Sequence, residues 1–148
     1  MIEMKMMIDK LSGAPALIPG ASEEDLELFV QRCQLALLAM PPSEYLELLG
    51  VCNGAAENGV FLYSTRRIPF SDCAGETNDF IDMNLNWRDL EWMKDYLVFG
   101  ESDMDVYVLE MSSKIYQVRD RQAFDNVYYE FSTFNEMVSH MFGFMAVG

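Results

Sequence analysis

The stretch PPSEYLELLGVCNG, residues 41–54, carries most of the information about the fold. Two consecutive prolines end one helix and begin another, because proline fits the first turn of a helix but not its interior. The apolar side chains of Tyr45, Leu48, Leu49 and Cys52 then recur at helical spacing, which predicts one buried face. The helix is predicted to end at Asn53-Gly54, since glycine tolerates the left-handed conformation found at helix C-termini.

A second helix is predicted immediately upstream. Ser22 can cap its free amides, and the three acids that follow suit the positive end of the helix dipole. Its apolar positions recur at helical spacing at Leu26, Phe29, Val30, Cys33 and Leu37. A Met-rich segment at residues 1–11 is predicted to form a short helix, followed by a Gly/Pro-rich linker up to Gly20. We therefore assign residues 1–20 to an N-terminal helix and linker, and residues 21–148 to the main domain of a single globular unit.

The second half of the chain is rich in strands. Runs of β-branched and aromatic residues predict strands at 59–63, 96–100, 106–111, 115–118 and 127–131, and an irregular helix is predicted at 78–92. Short turns such as residues 111–114 favour an antiparallel meander. A final helix begins at Ser132 or Thr133, with Glu136 placed to complete its cap. The predicted class is α+β: an antiparallel sheet of about five or six strands, with N-terminal helices and a C-terminal helix packed on it.

Four stretches in this order resemble the SUKH superfamily, which is related to fungal cell-wall-synthesis regulators and to many bacterial immunity proteins. They are residues 22–26 (SEEDL), residues 41–54, residues 59–64 (GVFLYS), and the run that begins at 96–100 (YLVFG), passes through 106–109 (VYVL) and closes with 131–137 (FSTFNEM). The likeness spans roughly residues 22–142 and implies a SUKH-like domain over residues 21–148.

The resemblance implies a binding protein rather than an enzyme. Bacterial members of the superfamily typically act as immunity proteins for polymorphic toxins, and eukaryotic relatives act as interaction modules in signalling. We therefore expect an immunity protein that neutralises a cognate toxin, plausibly a basic nuclease, by stoichiometric occlusion. The alternative is a regulatory protein–protein interaction module with a non-toxin partner. The sequence indicates no oligomeric state.

The net charge of −14 restricts the choice of partner. Nucleic acids and anionic membranes are polyanions, so neither is an expected partner, whereas a basic protein is the natural complement. The same acidity could instead serve only to keep a Met-rich protein soluble. Charged residues interrupt the apolar character of the first eleven residues, so we predict no export signal and a cytoplasmic location.

The candidate binding residues lie between Asp72 and Glu110. This segment holds eleven acidic residues and two basic ones, and both tryptophans of the chain fall within it. Tryptophan flanked by acids is typical of an anchor for a basic partner, although tryptophans also close cores. The candidates are the acid triplet Glu101, Asp103 and Asp105, together with Trp87, Trp92, Asp89 and Glu91. For the triplet, a solvated turn, a partner contact and a metal site are the alternatives, and calcium would require more oxygen ligands and a glycine at the bend.

The sequence contains few residues suited to catalysis or to metal binding. His140 is the only histidine, and we place it near the end of the last helix, where the helix dipole would favour its cationic form. Cys33, Cys52 and Cys73 are widely spaced and odd in number, which argues against a disulfide framework or a zinc site, and the first two are predicted to be buried thiols. No catalytic residue, bound metal or cofactor is expected.

Overall fold

The computed structural model describes residues 18–70 and 74–146. The elements in chain order are α1 (Glu23–Leu37), α2 (Ser43–Val51), β1 (Ala55–Glu57), β2 (Val60–Leu62), α3 (Phe80–Trp87), a 3-10 helix (Glu91–Asp95), β3 (Tyr96–Glu101), β4 (Asp105–Glu110), β5 (Ile115–Asp120), β6 (Val127–Phe131) and α4 (Phe134–Ala146). The helix predicted at residues 1–11, together with Asp72 and Cys73, lies outside the described residues.

The six strands form one antiparallel sheet in the order β1-β2-β3-β4-β5-β6. Each strand therefore pairs with its neighbour in sequence. Helices lie on the N-terminal and C-terminal sides of this meander. The α+β class and the predicted sheet are confirmed.

The predicted helix caps are confirmed. The Ser22 hydroxyl accepts a hydrogen bond from the Asp25 amide (3.1 Å) at the start of α1. At the start of α4 the Thr133 hydroxyl accepts from the Glu136 amide (3.2 Å) and donates to the Glu136 carboxylate (3.0 Å). Thr133, rather than Ser132, therefore forms the cap that the sequence indicated for the last helix.

The apolar faces of α1, α2 and α4 meet at an aromatic cluster centred on Tyr45. Its ring lies 5.0 Å from that of Phe99 in β3, 5.2 Å from that of Phe80 in α3 and 5.4 Å from that of Phe134 in α4. The Tyr45 hydroxyl donates to the Tyr63 carbonyl (2.7 Å), so this buried polar group is satisfied. The stripe predicted in the deciding stretch, from Tyr45 to Cys52, is buried in full.

The helix predicted at 78–92 is shorter than expected. Asp79 caps α3 by accepting from the Ile81 amide (2.8 Å), and α3 ends at Trp87. A separate 3-10 helix follows after a turn. Asn84 and Asn86 lower the helix propensity of the last turn of α3, which is consistent with its early end.

The strand predicted at 59–63 is the second arm of a hairpin whose first arm, β1, was not predicted. The two residues between the arms, Asn58 and Gly59, have φ angles of 53° and 74°. Two consecutive positive φ angles define the turn whose twist suits a two-residue hairpin, and Asn-Gly is its preferred sequence. The signal for β1 was therefore present in the chain.

Gly100 allows α4 to lie close to the sheet. A Cβ atom there would collide with the Met141 side chain and the Phe61 carbonyl. We expect Gly100→Ala to lower the free energy of unfolding by about 2 kcal/mol in chemical denaturation, because the colliding carbonyl belongs to a paired strand. Gly143→Ala is the matched control: nothing lies near its added methyl, and alanine favours the helix, so a gain of about 0.5–1 kcal/mol is expected. Equal effects of the two variants would contradict this interpretation.

Candidate functional site

The acid triplet does not form a single exposed cluster. Glu101 and Asp105 are strand residues, so only residues 102–104 form the loop, and the turn predicted over 101–105 is shorter than expected. Glu101 is only 6% exposed, Asp105 is half-buried and Asp103 is exposed. The three carboxylates therefore point into different environments, and a solvated turn describes Asp103 alone.

Glu101 belongs to a buried chain of polar groups. Its carboxylate accepts a hydrogen bond from the Tyr63 hydroxyl (2.7 Å) and forms an ion pair with Arg121 (2.8 Å). The indole N–H of Trp87 donates to the same Tyr63 hydroxyl (3.4 Å). The structure thus brings together two predicted binding residues, Trp87 and Glu101, but as parts of the scaffold. With these internal partners, neither is positioned as a free contact for a protein partner.

Asp103 and Asp105 line a depression at the β3–β4 hairpin, which we call the hairpin pocket. It has a volume of about 380 Å³, and its lining includes Asn58, Asp103, Met104, Asp105, Tyr107 and Phe144. Ser102 fixes the hairpin loop, because its hydroxyl accepts from the Asp105 amide (3.0 Å) and its own amide donates to the Asp105 carbonyl (2.8 Å). The loop that carries Asp103 and the start of β4 at Asp105 are therefore held in a fixed arrangement.

Two buried polar groups near Asp105 lack hydrogen-bond partners among the described residues. One is the hydroxyl of Tyr107, a residue with 0% exposure, and the other is Nε2 of His140. Burial raises the pKa of the Tyr107 hydroxyl, and the charge of Asp105 raises it further. Burial also raises the pKa of Asp105, while His140 acts in the opposite direction. The pocket therefore combines a partly desolvated carboxylate with a buried, unpartnered hydroxyl.

The environment of His140 differs from the prediction. The residue lies at the middle of α4 rather than near its end, and its ring contacts those of Tyr129 and Phe144 at centroid distances of 4.5 Å and 4.9 Å. Burial lowers its pKa, although the nearby Asp105 carboxylate acts to raise it. The helix-end argument for a cationic histidine therefore does not apply, because the helix continues for six more residues.

Trp92 borders a second depression, the Trp92 groove, of about 580 Å³. Its lining includes Trp92, Asp95, Tyr96, Arg119, Phe124 and Asp125. Trp92 is 49% exposed, and one side of its ring rests on Phe124 at a centroid distance of 4.9 Å. Trp92 is therefore both supported by the protein and accessible from outside.

Arg119 forms the floor of the Trp92 groove and is fully engaged. Its guanidinium lies 4.6 Å from the Phe124 ring centroid and 5.1 Å from that of Tyr96. It donates to the Gln117 side chain (2.8 Å) and to the Phe124 carbonyl (3.0 Å), and it pairs with Glu110 (3.5 Å). This buried cation, which the sequence did not single out, fixes the aromatic residues beneath Trp92.

The remaining predicted residues lie beside Trp92. Asp89 is exposed just before the 3-10 helix, and Glu91 is exposed as its first residue and pairs with Lys94 (2.9 Å). Asp89, Asp95 and Asp103 form no ion pair within residues 18–70 and 74–146. The two depressions lie at opposite ends of β3, which spans about 17 Å at the usual rise per residue. The seven predicted residues are thus divided between two places and a buried chain.

The two described cysteines are buried and unreactive in character. Burial raises the pKa of Cys33 to about 12 and that of Cys52 to about 11, so both remain thiols at neutral pH. In the described part of the chain, no three His, Cys, Asp or Glu side chains are grouped so that they could hold a metal ion. None of the helices in residues 18–70 and 74–146 is long and apolar enough to cross a bilayer.

Comparison with known proteins adds no family assignment. No family model matches the chain, and no curated protein matches it.

Proposed function

We propose that this chain is an immunity protein that binds a basic toxin domain, such as a nuclease, and blocks it stoichiometrically. The observation that carries this proposal is that, in the described part of the chain, some acidic residues have partners within the fold whereas others are exposed without one. Asp79, Glu101 and Glu110 have internal cationic or hydrogen-bonding partners, whereas Asp89, Asp95 and Asp103 are exposed and have no ion-pair partner among the described residues. Acids that are not needed for folding and face outward are suited to meeting a basic partner.

The packing of Trp92 supports the same proposal. A half-exposed tryptophan offers a large contact area, and Phe124 holds its ring in place before any partner arrives. Pre-organised aromatic anchors lose little conformational entropy on binding and commonly dominate interface energetics. In this proposal the acids accelerate association, and Trp92 slows dissociation.

The motif likeness to the SUKH superfamily supports the choice of a toxin as the partner, and we propose that this chain acts in the cytoplasm. The competing proposal is a regulatory interaction module with a different partner. The neighbouring gene distinguishes them: a long reading frame with a basic, variable C-terminal domain favours immunity. A solitary gene in a signalling or metabolic cluster favours the module.

Growth of cells tests the proposal directly. The C-terminal domain of the adjacent reading frame is expressed alone and together with this chain. Restored growth, with a complex of fixed stoichiometry recovered on purification, is the expected result. If the domain is toxic and this chain neither restores growth nor co-purifies with it, the pairing is wrong and the interaction module becomes the preferred proposal.

Neutralising the hairpin acids is expected to slow association. Asp103→Asn with Asp105→Asn should lower the association rate with the basic partner by about ten-fold at low ionic strength, and weaken its salt dependence, because local charge steers encounter. Stopped-flow fluorescence measures both quantities. The matched control is Glu27→Gln with Glu47→Gln, which removes the same total charge from exposed positions on α1 and α2. Equal rates for the two double variants would place the interface elsewhere.

A further inference from the structure

We propose that the hairpin pocket binds the guanidinium group of an arginine side chain supplied by the partner. This inference rests on the proposed function, since it assumes a basic protein partner, and it names the residue type that the partner inserts. The pocket is defined by Asp103, Asp105 and Tyr107, with Met104 and Phe144 at its edge.

The first support is a set of three oxygen acceptors that differ in depth. Asp103 is exposed, Asp105 is half-buried and Tyr107 is fully buried, yet all three line the same pocket. The Tyr107 hydroxyl has no partner among the described residues and almost no solvent-accessible area, so it accepts a hydrogen bond only from a donor that displaces the side chains covering it. An extended side chain with several donors at its tip matches acceptors arranged in this way.

The second support is the cost of leaving these groups without a partner. An unpaired buried hydroxyl is unfavourable, and a carboxylate removed from water is also unfavourable unless a cation or donors compensate it. Burial raises the pKa of Asp105, which reports such partial desolvation. A cation that enters the pocket would pair with the Asp105 carboxylate, and a guanidinium N–H that penetrates to the Tyr107 hydroxyl would also give that group a partner.

The apolar edge of the pocket favours a long aliphatic stem. Met104 is 69% exposed in the hairpin loop, and Phe144 is half-exposed at the end of α4. Arginine carries three methylene groups that can lie along apolar surface while the charged head reaches the acceptors. A small inorganic cation would leave this edge unused, and the described residues provide no three-ligand metal group there.

A guanidinium fits this pocket better than an ammonium group. It is planar, more weakly hydrated than an ammonium group and carries five N–H donors in a fixed fork, so it can contact two acceptors simultaneously. Charge-assisted hydrogen bonds to carboxylates are about twice as strong as neutral ones. Lysine offers a compact, strongly hydrated charge, and its transfer into a partly buried pocket is less favourable.

The test uses the isotopically labelled full chain and three short capped peptides, Gly-Arg-Gly, Gly-Lys-Gly and Gly-citrulline-Gly. Citrulline has nearly the same shape as arginine but no charge. We expect the arginine peptide to give saturable amide shifts at Asn58 and at residues 103–107, with affinity about five-fold higher than that of the lysine peptide. The citrulline peptide should give no saturable shifts there. Equal binding of the three peptides, or shifts spread over all exposed acids without saturation, would overturn the proposal.

Two variants separate a binding role from a structural one. Tyr107→Phe removes only an unpartnered hydroxyl, so the fold should be retained with equal or higher thermal stability, while arginine-peptide affinity falls about five-fold. Asp105→Asn should lower that affinity about ten-fold. The control pair Glu27→Gln and Glu47→Gln should leave it within about two-fold, since any change would come only from screened net charge. Unchanged affinity in Tyr107→Phe would remove that hydroxyl from the site and overturn the proposal.

The growth assay and the peptide titration together distinguish failure of the pocket proposal from failure of the proposed function. Suppose that the wild-type chain restores growth, and that Tyr107→Phe and Asp105→Asn, expressed at the same level, restore it as efficiently as the wild type. The pocket proposal then fails, and the immunity proposal stands. If the arginine peptide binds as expected but the wild-type chain neither protects from nor binds the neighbouring toxin, the toxin assignment fails and the pocket remains. Loss of protection in both variants, with folding intact, supports both proposals together.

Discussion

Replacing Tyr45 with alanine is expected to lower the free energy of unfolding by about 4 kcal/mol, which would leave a domain of this size marginal or unfolded at 37 °C. The ring is fully buried and contacts aromatic rings from α1, α3, α4 and β3. Its removal therefore opens a cavity at the point where α2 meets four other elements, and rigid neighbouring rings cannot collapse into it. Urea denaturation followed by circular dichroism measures the change.

Tyr45→Phe is the matched control for this prediction. It keeps the ring and removes only the hydroxyl that donates to the Tyr63 carbonyl, so a loss of about 1 kcal/mol is expected. The difference between the two variants then isolates the packing contribution of the ring. If the alanine variant lost no more stability than the phenylalanine variant, the aromatic cluster would not be the centre of the core.

The central position of Tyr45 also explains why so much of the fold could be predicted. Helical spacing, proline positions and caps are local signals, and α1, α2 and α4 follow them because their apolar faces share one core. The first strand, β1, was not predicted for the opposite reason. Residues 55–57 form a strand of only three residues, which is too short to show a periodic pattern. The only sequence signal that indicates this strand is the Asn58-Gly59 turn that follows it.

The candidate site was less predictable because its members are separated in sequence. Glu101 looked like an exposed turn residue, yet Tyr63 and Arg121, 38 and 20 positions away along the chain, enclose its carboxylate. Composition around Glu101 cannot reveal partners at that distance. The same holds for Tyr107 and Phe144, which reach one pocket from β4 and α4.

The two tryptophans illustrate how the fold assigns different roles to similar residues. Both are flanked by acids in the sequence, but α3 turns Trp87 toward the Tyr63 hydroxyl, while the 3-10 helix leaves Trp92 half-exposed against Phe124. The contacts of each ring, and not the acids that flank it in the sequence, therefore decide which tryptophan is accessible.

The position of α3 depends on Asn84, whose substitution should have the second-largest effect. Its side-chain amide accepts from the Val98 amide (2.8 Å) and donates to the Val98 carbonyl (2.8 Å) and to the Phe80 carbonyl (2.9 Å). Strand β2 pairs with β3 only at Gly100 and Glu101, so Asn84 continues the hydrogen bonding of β3 where β2 no longer reaches. A side chain from α3 thus takes the place of a neighbouring strand.

Asn84→Ala is expected to lower the free energy of unfolding by about 3 kcal/mol, because it leaves buried backbone groups of β3 without partners. Asn86→Ala, at an exposed position of the same helix, is the control and should change stability by less than about 0.7 kcal/mol, with the helix propensity of alanine in its favour. Thermal and chemical denaturation measure both. Equal stability of the two variants would mean that α3 does not depend on this contact with β3. A large loss in Asn84→Ala alone would show that this one amide holds α3 against the sheet.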